Sequence, residues 1–327
     1  MIIKGETVDP GLTVRHTRRA GRAATERSLR RECRYREPMP QLTCCLCEQP
    51  MGPPTASTWC YRCARCGTWA STLHVGINGD AHHQLDEDLR ETGLARLREQ
   101  NNATVLDRLT TVGLSSSQTV LDVGAAHGWF VGAARDRGFR AEGIEPDDAL
   151  ATRARANGTS VRAGFFPDVL GADERVDAIC FNDVLEHIPD VRLALTACYR
   201  HLSPGGLLSI NIPNSRGLVY RVALLARRLG MRGLFDRLWQ VGLPSPHLWY
   251  FDEAGISALC AAAGMKPVFA GRLPSLTRRG LWERAHEDRR PSAITVVGVL
   301  VAWIAAPVLN NRFASDIMHV IARKPVA

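Results

Sequence analysis

The stretch that most constrains this chain is Thr119-Val120-Leu121-Asp122-Val123-Gly124-Ala125-Ala126-His127-Gly128-Trp129-Phe130. An apolar run of strand length, interrupted by one acid, stops at a glycine and leads into a helix start. Gly124 permits the positive φ that a tight strand-to-helix turn needs, and Gly128 has no Cβ to keep a ligand off the backbone. A second apolar strand, Ala141 to Ile144, ends in Glu145. That acid falls about twenty residues beyond the first glycine, where a doubly wound fold holds a ribose diol with a carboxylate. The pairing predicts a nucleoside-bearing cofactor.

Beyond this turn the apolar positions alternate between strand and helix. Strands are expected near 119–123, 140–144, 160–164, 176–182 and 207–212, with a sixth near Lys266 to Gly271 and helices between them. Helices are also expected between Gln84 and Val112, from Val191 to Leu202, where Ser203-Pro204-Gly205-Gly206 stops the helix, and from Asp252 to Ala263. Alternation of this kind makes an α/β, doubly wound, mostly parallel sheet, with ligands at the carboxyl edge of its strands.

The glycine spacing narrows the cofactor. It reads Gly124-x-Ala126-x-Gly128, with Val131 where a dinucleotide fold has its third glycine, so no pyrophosphate cradle is expected. Asp122 is placed to hold a cationic amino group, which suits a nucleoside carrying an amino acid. The run resembles the first motif of class I S-adenosylmethionine-dependent methyltransferases, with Ala126 where glycine is commonest. Val184-Leu185-Glu186-His187, followed by Leu202-Ser203-Pro204-Gly205-Gly206, resembles later motifs of the same class. Asp316 to Lys324 resembles the antiparallel seventh strand that closes its Rossmann-like sheet. The likeness covers about Thr119 to Lys324 and implies S-adenosylmethionine as cofactor. It puts Asp122 at the methionine end and Glu145 at the ribose, with Gly124, Ala126 and Gly128 beneath. Asn182 and Asp183 then face the methionine moiety, and Gly164 or Phe165 borders the adenine.

Six of the ten cysteines fall between Cys44 and Cys66, and clustering favours metal over disulfides. Cys44, Cys47, Cys63 and Cys66 give C-x2-C-x15-C-x2-C, the spacing of a tetrahedral zinc ribbon. Four thiolates leave no open position, so the zinc is expected to be structural. Cys45 and Cys60 are surplus, with Cys60-x2-Cys63 an alternative pair. The region is similar to the zinc modules of some bacterial methyltransferases acting on sugars. Residues 1–38 hold ten Lys or Arg against five Asp or Glu, so most of the net charge of +8 sits in this stretch. The resulting organisation is a disordered basic tail (1–38), a zinc ribbon (39–80) and a methyltransferase domain (81–327) with apolar insertions near 216–243 and 292–309.

Methyl transfer to oxygen also needs a proton removed. His187 is the nearest neutral-pH base to the expected methyl position, and His247 is the second candidate. His201, near a helix end, is expected to be solvated. Asn214 and Pro246 to Phe251 look like bacterial relatives associated with polysaccharide or lipid-linked glycan gene sets, which implies a small-molecule, sugar or lipid-linked glycan acceptor. The stretch Arg216 to Leu243 carries Leu218, Val222, Leu225 and Leu229 beside several arginines and reads as a basic amphipathic helix. Ser292 to Leu309 is an eighteen-residue run without a charge. A single crossing of a bilayer by that run would separate the seventh strand from its sheet, leaving a buried, interfacial or re-entrant segment. The expectation is a cytoplasmic enzyme that meets the inner face of the membrane peripherally. The rival class is a nucleic-acid-binding protein gripping with the basic arm and with Trp59, Tyr61, Arg62, Arg65 and Trp69, although no specific nucleic acid is expected.

Overall fold

The structure is a computed structural model. It describes residues 42–77, 87–276 and 315–326, together with 282, 296, 298–301, 303, 304 and 306. The basic tail 1–38, the 80/81 boundary and much of 292–309 lie outside the described residues.

The central sheet has seven strands: β3 (Thr119–Val123), β4 (Arg140–Glu145), β5 (Val161–Ala163), β6 (Val176–Asn182), β7 (Leu202–Pro213), β9 (Lys266–Leu273) and β10 (Ile317–Arg323). Their order is β5-β4-β3-β6-β7-β10-β9. The first five are parallel neighbours, and β10 runs antiparallel between β7 and β9. This is the seven-stranded, mostly parallel architecture anticipated above. Strands covered on both faces need apolar side chains at successive positions. Leu121, Val123, Ile179 and Phe181 enter one buried layer, while Val120, Ala178 and Cys180 enter the other.

The flanking helices are α1 (Glu87–Thr111), α2 (Trp129–Asp136), α3 (Asp148–Ala156), α4 (Val191–His201), α5 (Leu218–Arg228), α6 (Gly233–Leu238) and α7 (Glu253–Ala262). Three have aspartate caps written into the sequence. Asp147, Asp190 and Asp252 accept backbone N–H bonds from the first turns of α3, α4 and α7.

Two boundaries differ from the sequence reading. The Ser203-Pro204-Gly205-Gly206 stretch belongs to β7, because Gly205 donates to the Lys324 carbonyl and Lys324 donates back to Gly206, extending the ladder. The expected single helix over 216–243 is two helices. Gly230, at φ +88°, ends the first, and Met231 N closes its last turn onto the Ala226 carbonyl. The turned-in face of α5 is Tyr220 and Ala223, leaving Leu218, Val222, Leu225 and Leu229 exposed.

A second sheet was not legible in the sequence. Strands β1 (Cys60–Arg62) and β2 (Trp69–Ser71) of the cysteine region form a hairpin, and β8 (Trp249–Tyr250) adds to its edge. Trp69 pairs with Tyr250 and Ala70 with Trp249, all antiparallel. Cys60, Trp69, Tyr220, Ala223, Phe235, Trp239 and Tyr250 fill a separate core beneath this sheet. The cysteine hairpin and the segment after β7 therefore build one cap together, and both lie in the compact unit Leu42–Ala327.

Candidate active site

The carboxyl edge of the sheet gathers the chemistry. At the β3 turn, Gly124 (φ +74°) and Gly128 (φ +76°) take left-handed backbone conformations. A Cβ on Gly124 would lie 2.5 Å from Val184, and one on Gly128 would lie 2.5 Å from Thr159. Ala126 also has positive φ, at +44°, a conformation that glycine adopts at less cost. Its N–H donates to Glu145 Oε2 at 2.7 Å, while Glu145 Oε1 accepts from Asp147 N at 2.9 Å. The carboxylate expected at the ribose is thus fixed beside the glycine turn. Gly164 (φ +130°) donates its N–H to the Glu145 carbonyl, and Phe165, next along, is exposed.

Asp122 is buried and accepts from Asn182 Nδ2 at 2.8 Å. Asn182 Oδ1 in turn accepts from Asn211 Nδ2 at 2.6 Å. Burial raises Asp122 from 3.8 to about 7, with the Asn182 hydrogen bond and the Arg98 charge pulling the other way. Asp183 sits at φ +55° and pairs through Oδ2 with Arg98 Nη1 at 2.5 Å. Its Oδ1 is buried without a hydrogen-bond partner, an acceptor suited to an ammonium or hydroxyl. These acids and the glycine turn fit a nucleoside bearing an amino acid. Arg98, on α1, and Asn211, on β7, were missed in the sequence. Neither lies in a motif, and only their neighbours in space give them a role.

The two candidate histidines come together. Leu185–His187 form a short 3-10 turn after β6, and the chain entering β8 lies across it. Leu248 N donates to the Glu186 carbonyl at 2.8 Å, and Trp249 Nε1 donates to the Ile188 carbonyl at 3.1 Å. The ring centroids of His187 and His247 are 4.8 Å apart, inclined at 65°. His187 Nδ1 lies 2.9 Å from the Pro246 carbonyl, which can only accept, so Nδ1 carries the proton. Tyr250 Oη donates to the Leu238 carbonyl at 2.7 Å and therefore accepts from His247 Nδ1 at 3.1 Å. With its Nδ1 protonated, His247 accepts through Nε2 from Gln240 Nε2 at 2.9 Å. Between the two imidazoles is Glu186, 1% exposed, with neither carboxylate oxygen hydrogen-bonded. Burial, reinforced by the Asp183 charge, raises Glu186 well above the carboxylate range. Burial lowers His247 well below its ordinary value, helped by His187. His201, expected to be solvated, is instead buried, its Nδ1 3.0 Å from the Glu174 carbonyl. The end of α4 packs inward there.

Cys44, Cys47, Cys63 and Cys66 present sulfurs all within 4.8 Å of one another, with Cys44–Cys66 and Cys47–Cys63 each at 3.4 Å. An ion about 2.3 Å from each of four tetrahedral sulfurs sets them about 3.8 Å apart, so the cluster fits one. Cys60 is not in the group. It is buried in the cap core, where Trp59 and Trp69 also pack. Arg192 on α4 ties the first knuckle to the main sheet, donating to the Cys45 and Leu46 carbonyls at 2.6 and 3.1 Å. The cap then reaches the histidines: Ser71 N donates to the Leu248 carbonyl and Ser71 Oγ to the His247 carbonyl, both at 2.8 Å.

The chain resembles known proteins in family and in fold. A family described as a methyltransferase domain matches residues 93–268. A ubiquinone biosynthesis O-methyltransferase of Rhizobium etli is 30% identical over 121 residues, 35% of this chain and 49% of the relative. A probable S-adenosylmethionine-dependent methyltransferase of Mycolicibacterium smegmatis is 29% identical over 146 residues, 42% of this chain and 56% of the relative. The match thus spans about half the length of these relatives. Among solved structures, a chain from the complex between the Haloferax volcanii Trm112 methyltransferase activator and the putative methyltransferase superimposes with a TM-score of 0.53. It is 17% identical, and the superposition covers 76% of this chain and all of that one, a likeness of fold.

Proposed function

Because the chain belongs to the methyltransferase domain family, we propose that it is an S-adenosylmethionine-dependent methyltransferase that methylates a hydroxyl of a small, amphiphilic acceptor. The observation that carries this reading is the Glu186, His187 and His247 cluster, where the turn after β6 meets the entry to β8. Oxygen acceptors must lose a proton, and His187 Nε2 offers a lone pair held in place through Nδ1. S-adenosylmethionine supplies the methyl group as a sulfonium. Asp122 and Asp183 would hold its ammonium end, Glu145 its ribose, and the glycine turn its adenosine. Position supplies much of the acceleration in such a displacement. The four thiolates are proposed to hold a structural zinc that fixes the cap over the site. The name of the Rhizobium relative supports an oxygen acceptor.

Glu145→Ala is expected to weaken S-adenosylhomocysteine binding by about 1.5–3 kcal/mol, the range for hydrogen bonds to a charged group. Isothermal titration checks it. No binding by the wild type would refute the cofactor assignment, and unchanged affinity in the variant would mean the ribose is held elsewhere.

A peripheral membrane location, with a lipid-linked acceptor, is favoured by the exposed face of α5. Leu218, Val222, Leu225 and Leu229 form an apolar stripe beside exposed Arg216, Arg221, Arg228 and Arg232. Val296, Leu300, Val301, Trp303 and Ile304 are exposed too. No helix among the described residues is long and apolar enough to cross a membrane. Such a surface matches anionic headgroups above an apolar interior. The protein is expected to float with anionic vesicles and less with neutral ones, and Leu225→Glu with Leu229→Glu should abolish flotation. Folded wild-type protein that floats with neither would end this reading and leave methyl transfer standing.

A further inference from the structure

We propose that Glu186, His187 and His247 form a second ion site, separate from the thiolates, that binds a divalent first-row transition metal and receives the acceptor oxygen. An unpaired carboxylate buried this deeply is costly unless something satisfies it, and both Glu186 oxygens are without hydrogen-bond partners. Its Oε1 lies 3.9 Å from His187 Nε2 and 4.0 Å from His247 Nε2. An ion bonding nitrogen and oxygen at about 2.0–2.2 Å reaches donors up to about 4.2 Å apart, so one ion can bridge each pair with a small closing movement.

The surroundings have the form of a ligand set. Each imidazole is oriented by a bond through Nδ1, to the Pro246 carbonyl and to the Tyr250 hydroxyl, which leaves Nε2 as the donor atom. Gln240 Nε2 lies 2.9 Å from His247 Nε2 and must give way to the ion. The three donors come from two segments, the turn after β6 and the entry to β8, and the cap secures the second. Two imidazoles and one carboxylate suit zinc, iron, cobalt or manganese, and they leave coordination positions open.

The ion's role rests on the methyl-transfer reading; its binding does not. A hydroxyl entering an open position would lose its proton more readily, the proton passing to water. Its oxygen then forms the bond to the methyl carbon as the carbon–sulfur bond breaks, and the electron pair stays on sulfur, which becomes a neutral thioether. With the ion bound, His187 serves as a ligand, and the ion takes over activation of the oxygen.

The test uses the full chain, equilibrated with zinc and desalted, with metal analysis run beside S-adenosylhomocysteine titration. Wild type is expected to retain about two ions per chain. Glu186→Gln and His187→Gln should each retain about one, with S-adenosylhomocysteine affinity kept as evidence of folding; if the more buried Glu186 variant fails to fold, His187→Gln decides. Wild type that binds S-adenosylhomocysteine but holds only the ribbon's ion overturns the site and leaves the methyltransferase reading intact. Equal metal in wild type and in the folded variants overturns it as well, placing the extra ion elsewhere. Two ions with no S-adenosylhomocysteine binding would keep the site and sink the cofactor reading.

Discussion

Replacing Cys63 and Cys66 together by serine is expected to abolish recovery of folded protein. Structural zinc in small modules contributes about 10–16 kcal/mol of apparent binding energy, as much as the whole stability of a typical domain, about 5–15 kcal/mol. The loss would not stay in the ribbon. Cys63 ends the β1 hairpin strand's approach to β2, and β2 carries β8 on its edge. Trp69, Tyr220, Trp239 and Tyr250 share the core under that sheet. Serines at the knuckle would therefore loosen α5, α6 and the backbone that presents His247. Soluble yield, zinc content and thermal unfolding measure the effect. A variant that melts like wild type would show that packing, without an ion, holds the hairpin.

Asp122→Asn is expected to move stability and cofactor binding in opposite directions. An aspartate ionises near 3.8 in the unfolded chain but near 7 in its buried place. Between about pH 4 and pH 7 the folded state keeps a proton that the unfolded state has released, so stability falls as pH rises through that window and levels off above it. A shift of this size corresponds to a penalty on the order of 4 kcal/mol at pH 8. Asparagine keeps the bond from Asn182 and carries no charge to bury. The cofactor-free variant should melt higher than wild type at pH 8 and about equally at pH 4. Its affinity for S-adenosylhomocysteine should drop about 10-fold to 100-fold, because a charged partner for the ammonium is gone. Calorimetry across pH and isothermal titration give the two halves. Unchanged affinity would place the ammonium against Asp183 alone, and unchanged stability would mean that Asp122 is ionised at little cost.

The parts legible in the sequence were those set by local chemistry. Period-2 and period-3.6 patterns located the strands and helices, and the glycine turn with Glu145 located the carboxyl edge. The cysteine spacing selected the four residues whose sulfurs converge. Features made by distant partners were not legible. Two residues, Trp249 and Tyr250, are too few to read as a strand until β2 is beside them. Glu186 figured in the sequence only as part of the motif that holds His187, and its burial, with Leu248 N donating to its carbonyl, shows only in the fold. Arg98 has no local mark because its partner, Asp183, is more than eighty residues away. The break at Gly230 was hidden by a leucine pattern that continues through it.

The pairing of β2 with β8 also governs timing. Ser71 and His247 are 176 residues apart in the chain, with the five parallel strands β3 to β7 between them. Contacts of such separation form late, after loop closure has been offset by nearer ones. A growing chain thus carries an unpaired β2 edge, a template for wrong partners, until residue 250 has been made. Closing that edge is what brings His247 beside His187, so the proposed site is incomplete until β8 has docked on β2.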